Sequence, residues 1–178
     1  MTKIILYIAA SLDGFIARND GDISWLDKYH GGSEDYGYAD FYRKIGACIM
    51  GARTYEKALT LTGGIDSQMP TFVFTTRQLP VLPGADVTFY YGGLPQLLKI
   101  IKKKTTKDIW LVGGGELARS FLKEGLIDDI ILSIIPIILG EGISLFGNMK
   151  KAIDLDLVKA ISYLSAIVQT HYSVRYIK

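Results

Sequence analysis

The first two thirds of the chain alternate between short apolar runs rich in β-branched residues and segments whose apolar residues recur at helical spacing. Residues 3–10 form a nearly continuous apolar run, which is typical of a strand buried on both faces of a sheet. This alternation favours parallel strands joined by covering helices, whereas the segments after residue 128 follow one another without helices. We therefore predict an α/β fold with a mixed, mainly parallel central sheet and antiparallel C-terminal strands.

The same patterns predict the individual elements of a single domain that spans residues 1–178. Strands are predicted at residues 3–10, 48–51, 71–76, 86–91, 108–115, 129–136, 155–164 and 166–176. Helices are predicted at residues 33–44, 54–61, 94–104 and 116–124. A hydrophobic content of 49% over 178 residues suffices for one buried core, and no linker, repeat or low-complexity segment divides the chain.

Composition excludes several classes of protein. The balance of 20 Lys and Arg residues against 18 Asp and Glu residues gives a net charge of +2, too small for an electrostatic nucleic-acid footprint. Cys48 is the one cysteine, which excludes an intrachain disulfide framework and a cysteine-rich metal site and fits a reducing cytoplasm. No apolar stretch reaches the roughly 20 residues that span a bilayer. We expect a cytoplasmic protein that binds a small molecule, with no metal, nucleic-acid or membrane partner, and a homodimer would cover the open edge of the C-terminal strands.

A run of three glycines, at residues 113–115, is the most informative local feature. It ends a predicted strand and opens a helix, so the backbone can approach a ligand and the helix N-terminus can bind a pyrophosphate. A tight strand-to-helix turn would explain the same glycines equally well. Residues 113–118 also match the dinucleotide pattern G-x-G-x-x-G/A, but they come late in the chain, and Asp128 and Asp129 follow too soon to bind a ribose. A Rossmann site therefore ranks below the alternative that follows.

Four segments in order carry the most specific signal, although each is weak alone. They are residues 11–17 (SLDGFIA), 49–56 (IMGARTYE), 109–116 (IWLVGGGE) and the stretch from LIDD at 126–129 to PIILGEGISLF at 136–146. With these segments the sequence resembles the dihydrofolate reductase superfamily. The resemblance is strongest to the branch that contains the C-terminal reductase domain of bifunctional riboflavin biosynthesis proteins.

The resemblance implies a three-layer α/β/α fold and NADPH-dependent hydride transfer to a pyrimidine- or pteridine-type substrate. Its last segment favours 5-amino-6-(5-phosphoribosylamino)uracil over dihydrofolate. Hydride transfer needs alignment and exclusion of water rather than a nucleophile, which agrees with the lack of a catalytic Ser-His-Asp or metal motif. Dihydrofolate or another heterocycle is an alternative substrate, and a nucleotide-binding protein without catalysis is a second alternative.

The resemblance also implies a set of cofactor-binding residues. A helix N-terminus, a hydroxyl and a guanidinium together suit the phosphates of NADPH, and a backbone group after the first strand would bind the carboxamide. Many relatives have a basic residue directly after the glycine that corresponds to Gly51, where this chain has Ala52. The choice between NADPH and NADH therefore stays open. The implied residues are Ala10, Ile16, Gly51, Arg53, Thr54, Thr75, Thr76, Arg77, Gly113, Gly114, Gly115, Glu116 and Leu117.

On the substrate side the resemblance implies Ala9, Asp13, Trp25 and Tyr38, although a β-turn at Asp13 and core packing of the two aromatics are alternatives. For the proton, the resemblance implies Asp35, because its spacing to Gly51 matches that of the buried acid of folate reductases. Burial would raise the pKa of such a carboxyl and suit it to proton delivery. His30 and His171 lack a partner motif and are expected to be surface or structural residues.

Overall fold

A computed structural model describes residues 2–29, 34–61, 66 and 69–176 of the chain. Its strands are β1 (Ile4–Ser11), β2 (Phe15–Ala17), β3 (Ile45–Gly51), β4 (Thr71–Phe74), β5 (Val87–Tyr90), β6 (Asp108–Gly113), β7 (Asp129–Ile135), β8 (Ile143–Ser144), β9 (Asp154–Ser162) and β10 (Val168–Arg175). Its helices are α1 (Tyr38–Tyr42), α2 (Ala52–Thr60), α3 (Leu94–Lys104) and α4 (Gly115–Lys123), with a 3-10 helix at Ser24–Tyr29.

Eight of the strands form one central sheet in the order β5-β4-β3-β6-β1-β7-β10-β9. The six strands from β5 to β7 pair in parallel. β10 is antiparallel to both β7 and β9. The predicted mixed, mainly parallel sheet with antiparallel C-terminal strands is therefore confirmed.

Helices cover both faces of the parallel strands because side chains alternate along each strand. On one face Leu6 and Leu111 pack in the same cluster as Leu97 of α3 and Phe121 of α4. On the other face a second cluster joins the strands to Phe41 of α1 and Tyr55 of α2. Each fully buried side chain of this size contributes roughly 1.5–3 kcal/mol of transfer free energy. The result is the three-layer α/β/α arrangement that the resemblance implied.

The largest difference from the predicted elements is in the helix expected at residues 33–44. Only Tyr38–Tyr42 are helical, while residue 33 lies outside the described part of the chain. Tyr36 and Gly37 have φ angles of 54° and 74°, a left-handed conformation that a right-handed helix cannot include, so α1 begins only at Tyr38. The short β2, β8 and 3-10 segments were not predicted because two to six residues carry too little periodicity. No helix in the described part of the chain is long and apolar enough to cross a membrane.

Candidate active site

An open cleft of about 1850 Å³ lies at the carboxyl ends of the parallel strands. Its lining includes residues of β1, β3, β6 and β7 together with the N-terminal turns of α2 and α4. In open α/β sheets this edge is where ligands bind, because loops and helix N-termini converge there. The cleft therefore contains most of the residues that the sequence singled out.

Two helix N-termini meet on one side of the cleft. α2 begins at Ala52 directly after β3, and α4 begins at Gly115 directly after β6, the strand next to β3 in the sheet. Neither helix has a side-chain cap, so the first backbone N–H groups are available to a ligand. Adjacent uncapped N-termini of this kind suit a diphosphate, which agrees with the predicted roles of Gly51, Glu116 and Leu117 in the cleft lining.

A hydrogen bond fixes the glycine turn to α2. The Thr54 side-chain oxygen accepts from the backbone N–H of Gly114 at 2.9 Å. Gly113 has a φ of 131°, and a Cβ on Gly115 would lie 2.5 Å from the carbonyl oxygen of Ser144. The turn thus needs glycine for its own conformation and for its packing against Ser144, while the close approach of a ligand to these glycines stays a prediction.

Four cationic side chains line the cleft within the described residues: Arg53, Lys57, Arg77 and Arg119. Arg77 follows β4, and its two terminal nitrogens donate to both carboxylate oxygens of Glu56 at 3.0 and 2.9 Å. Arg119 donates to the backbone carbonyl of Ser144 at 3.0 Å. Thr75 accepts from the N–H of Arg77, but Thr75 and Thr76 do not line the cleft. These cations, together with the uncapped helix N-termini, give the cleft the chemistry that a phosphorylated dinucleotide requires.

The loop after β1 is fixed through Asp13 rather than open to a ligand. The Asp13 carboxylate accepts from the hydroxyl of Ser11 at 2.6 Å and from the backbone N–H groups of Leu139 and Gly140 at 3.1 and 2.7 Å. The hydroxyl of Ser11 and the Gly140 N–H hold the pKa of Asp13 below its usual range. Asp13 does not line the cleft, so the structure gives it the role of joining two loops instead of the substrate contact implied by the resemblance.

The residues around this loop divide between the cleft and the core. Ala9 and Ile16 line the cleft, as the resemblance implied. Ala10 points to the opposite face of β1 and is 1% exposed within the main core, so its side chain cannot reach a cofactor in the cleft.

A polar group lies on the cleft floor, on neighbouring strands β1, β7 and β10. The side-chain nitrogen of Gln169 donates to the hydroxyl of Ser133 and to the carbonyl of Tyr36, both at 3.1 Å. The Tyr7 hydroxyl donates to the same carbonyl at 3.2 Å. A carbonyl oxygen only accepts, which assigns the amide orientation of Gln169. Because the Ser133 hydroxyl accepts from Gln169, its own proton remains available to a ligand.

The sequence pattern does not predict this polar floor. Burial raises the pKa of Tyr7 to about 12, so its hydroxyl stays protonated at neutral pH. The available signal was a polar residue inside an apolar strand, since Ser133 interrupts the run from Ile130 to Ile135. A buried polar residue needs a partner, but the sequence does not say that the partner is Gln169 on another strand.

Aromatic rings form a wall beside the floor. The rings of Tyr7 and Phe41 stack with centroids 4.4 Å apart, and Trp110 lies edge-on to both Tyr7 and Tyr38. The Trp110 indole N–H donates to the backbone carbonyl of Tyr7 at 3.1 Å, which fixes the ring. Tyr38 and Trp110 both line the cleft, and contact between Tyr38 and a substrate stays a prediction.

Trp25 lies behind the cleft wall. It is 7% exposed and packs in a small cluster with Ile135 and Ile167, both of which line the cleft. Its indole N–H has no hydrogen-bond partner among the described residues. Trp25 therefore supports the cleft wall from behind and does not line the cleft as a substrate contact would, while its neighbours Leu26 and Tyr29 do.

The predicted acid does not have the environment that its role requires. Asp35 is exposed, and its carboxylate accepts from the backbone N–H groups of Gly37 and Ala39 at 2.9 and 3.1 Å. These bonds lower the pKa of Asp35, whereas a burial-raised pKa was expected. That expectation is wrong because the carboxylate lies before α1 and binds its first turns. The neighbouring acid Glu34 binds the backbone N–H groups of Leu164 and Ser165 at 3.3 Å.

Of the two histidines, the structure describes His171, which lies away from the cleft. His171 lies 3.6 Å from Asp129 at the start of β7, at the opposite edge of the sheet from the cleft. His30 falls outside the described residues. Within the described residues no group of three His, Cys, Asp or Glu side chains could hold a metal ion.

The fold and cleft define a dihydrofolate reductase-like α/β protein. The dihydrofolate reductase of Enterococcus faecalis, solved in complex with NADP(H), matches at a TM-score of 0.68 and 15% identity over 98% of this chain and 97% of that chain. The family model of the RibD C-terminal domain matches residues 2–168, and the chain belongs to this riboflavin-pathway-type reductase family.

Two further solved structures and one sequence relative are also similar to the chain. A putative riboflavin biosynthesis protein from Shewanella sp. PV-4 has a TM-score of 0.86 and 28% identity over 99% of this chain and 100% of that chain. The deaminase and 5-amino-6-(5-phosphoribosylamino)uracil reductase of Thermotoga maritima has a TM-score of 0.73 and 16% identity over 98% of this chain and 57% of that chain. The uncharacterized protein YwjB of Bacillus subtilis (strain 168) is 39% identical over 170 residues, which cover 96% of this chain and 97% of that protein.

Proposed function

We propose that the chain is an NADPH-dependent reductase that transfers hydride to a pyrimidine- or pteridine-type substrate. The observation that carries this proposal is the continuity of one cleft from two uncapped helix N-termini to an aromatic wall with a polar floor. The first part suits the diphosphate of a dinucleotide, and the second suits a planar acceptor. Membership of the RibD C-terminal domain family also supports a reductase reaction.

The order of the strand ends gives the direction of the dinucleotide. From β4 to β7 the cleft passes Arg77, the start of α2, the glycine turn, the end of β1 and Ser133. With the diphosphate at the two helix N-termini, the nicotinamide belongs on the β1 side, next to the cavity that can hold a second reactant. The adenosine then lies towards β4 and Arg77. The nicotinamide supplies the hydride, and the chain has to align the two rings and exclude water.

The chain's own groups on the acceptor side orient the substrate. The Ser133 hydroxyl, held by Gln169, donates a hydrogen bond to a ring nitrogen or carbonyl oxygen. Tyr7 keeps its proton because its pKa is about 12, and it offers its oxygen as an acceptor for a ring N–H. A donor and an acceptor beside an aromatic wall fit a heterocycle with an amide-like edge.

Among such heterocycles we place 5-amino-6-(5-phosphoribosylamino)uracil first, because of the family and because Lys57 lines the cleft and can pair with a phosphate. Dihydrofolate or another heterocycle is the alternative substrate. The acceptor-side cavity itself favours catalysis over a protein that only binds nucleotides, since such a protein would not need it.

The test has two stages. Purified protein is titrated with NADPH and NADH by nicotinamide fluorescence, with Arg53→Ala as the site variant and Arg43→Ala, which does not line the cleft, as the matched control. We expect micromolar binding that weakens in Arg53→Ala alone. Oxidation of NADPH is then followed with the phosphoribosylamino-pyrimidine and with dihydrofolate as acceptors. Failure of both nucleotides to bind would refute the proposal.

A further inference from the structure

The ion pair between Arg77 and Glu56 lies within the cleft, apart from both the polar floor and the aromatic wall. Both terminal nitrogens of the guanidinium are bonded to the two oxygens of one carboxylate, at 3.0 and 2.9 Å. The pair joins α2 to the loop that follows β4, and both side chains line the cleft. The part of the Arg77 fork that would bind a phosphate is therefore already occupied by a carboxylate.

The position of this pair along the cleft identifies the ligand group that would meet it. Neighbouring strands are about 4.8 Å apart, so β4 lies about 14 Å from β1 across β3 and β6. The diphosphate-binding helix N-termini lie between these two ends, and the acceptor cavity lies at the β1 end. A dinucleotide with its nicotinamide at that cavity would extend its adenosine ribose towards Arg77.

We propose that Glu56 sets the choice between NADPH and NADH by competing with the 2′-phosphate of the cofactor for Arg77, an inference that rests on the proposed function. A 2′-phosphate replaces Glu56 on the guanidinium, and the freed carboxylate turns to solvent. A cofactor with a 2′-hydroxyl leaves the ion pair intact. Glu56 thereby reduces the preference for NADPH over NADH that Arg77 alone would give. It acts through Arg77 and does not contact the cofactor itself.

The exposure of the pair makes this exchange feasible. The side chains of Arg77 and Glu56 are 52% and 41% exposed, and ion pairs of that exposure are weak because water screens them. A phosphate monoester carries up to two negative charges and more acceptor oxygens than a carboxylate, so it binds the same fork more strongly. Arg53, in the first turn of α2, is exposed and has no ion pair with the described residues, so no carboxylate competes with a phosphate there.

The test compares nucleotides that differ only in the 2′-phosphate. Binding of NADPH and NADH is measured by fluorescence, and binding of adenosine 2′,5′-bisphosphate and adenosine 5′-monophosphate by calorimetry. The variants are Glu56→Gln, Arg77→Gln and the double variant, with Glu124→Gln at the far end of α4 as a control for the same change in net charge. Melting temperatures verify that each variant is folded.

In Glu56→Gln we expect NADPH and adenosine 2′,5′-bisphosphate to bind about fivefold more tightly, with the two other nucleotides unchanged. In Arg77→Gln the 2′-phosphate should lose about tenfold or more in affinity, and adding Glu56→Gln should then have no further effect. A gain in the double variant equal to that in the single variant, or an unchanged NADPH-to-NADH ratio in Glu56→Gln, would overturn the inference alone. If none of the four nucleotides binds, the proposed function fails and the inference with it.

Discussion

Thr54 and Gly114 are 60 residues apart in sequence, yet the threonine side-chain oxygen accepts a 2.9 Å hydrogen bond from the glycine N–H. This bond joins the turn after β6 to the first turn of α2, which follows the neighbouring strand β3. The Thr54 side chain therefore holds together the two helix N-termini that would bind one diphosphate. Preorganised donors bind an anion without the entropy cost of ordering a loop.

Replacing Thr54 with Val should remove this bond while keeping the shape of the side chain. We expect the Kd for NADPH to rise about fivefold, because one hydrogen bond contributes on the order of 1 kcal/mol. Nicotinamide fluorescence measures the change, and Thr106→Val, at an exposed position outside the cleft, is the control. Equal affinities in the two variants would contradict a role for the bond.

Ser133→Ala should separate acceptor binding from cofactor binding. The substitution removes the donor of the cleft floor and leaves Gln169 bonded to the Tyr36 carbonyl. We expect kcat/KM for the acceptor to fall about tenfold, with the Kd for NADPH unchanged. Ser162→Ala on the exposed strand β9 is the control. A matching loss in NADPH affinity would place Ser133 on the cofactor side instead.

The pH dependence of stability should report on Asp13. Its pKa is lowered in the folded state, first by the Ser11 hydroxyl and then by the Gly140 N–H. A carboxylate of this kind stabilises the fold above its unfolded pKa of about 3.9, and the contribution is lost as the pH falls through the lower folded value. We therefore expect Asp13→Asn to lower the melting temperature at pH 7.

This difference from the wild type should shrink as the pH is lowered towards 3. Thermal melts across that range measure it. Glu141→Gln, at an exposed position in the loop that Asp13 joins, should follow the wild-type profile. A difference that stays constant with pH would argue against ionisation of Asp13 as its cause.

The homodimer stays a prediction, and β9 is where we propose to test it. This edge strand exposes Leu157 and Val158 to 60% and 57%. Lysine on an edge strand disfavours pairing with a second chain. We expect a dimer in sedimentation analysis of the wild type and a monomer for Leu157→Lys or Val158→Lys. Leu164→Lys, in the turn after β9, is the control, and a monomeric wild type would contradict the prediction.

Sequence patterns predicted what depends on local periodicity. The central strands, the glycine turn and the helix after β3 follow from neighbouring residues, although α2 begins at Ala52 rather than at the predicted Thr54. The residues expected to bind a cofactor came from the family resemblance. The spacing of Asp35 along the chain does not report its burial, and the left-handed conformation of Tyr36 and Gly37 interrupts the helix that was expected over residues 33–44.

The acceptor half depends on contacts between distant parts of the chain. Ser133 meets Gln169 across two antiparallel strands, and Tyr7 meets Tyr36 through a loop. Taken alone, each of these residues looks like an ordinary polar or aromatic residue of a strand or loop. Ser133 and Gln169 are neighbours only because of the register between β7 and β10. The ion pair of Glu56 and Arg77 could not be predicted for the same reason.

The chain has two tryptophans, and their unequal settings give it an internal optical reporter. Trp110 stands on the cleft wall, whereas Trp25 is enclosed behind it. Indole emission overlaps the absorption of a reduced nicotinamide, so a Trp25→Phe variant would leave one emitter next to the ligand. Energy transfer from that single indole would then follow filling and emptying of the cleft in real time, without a label and without turnover.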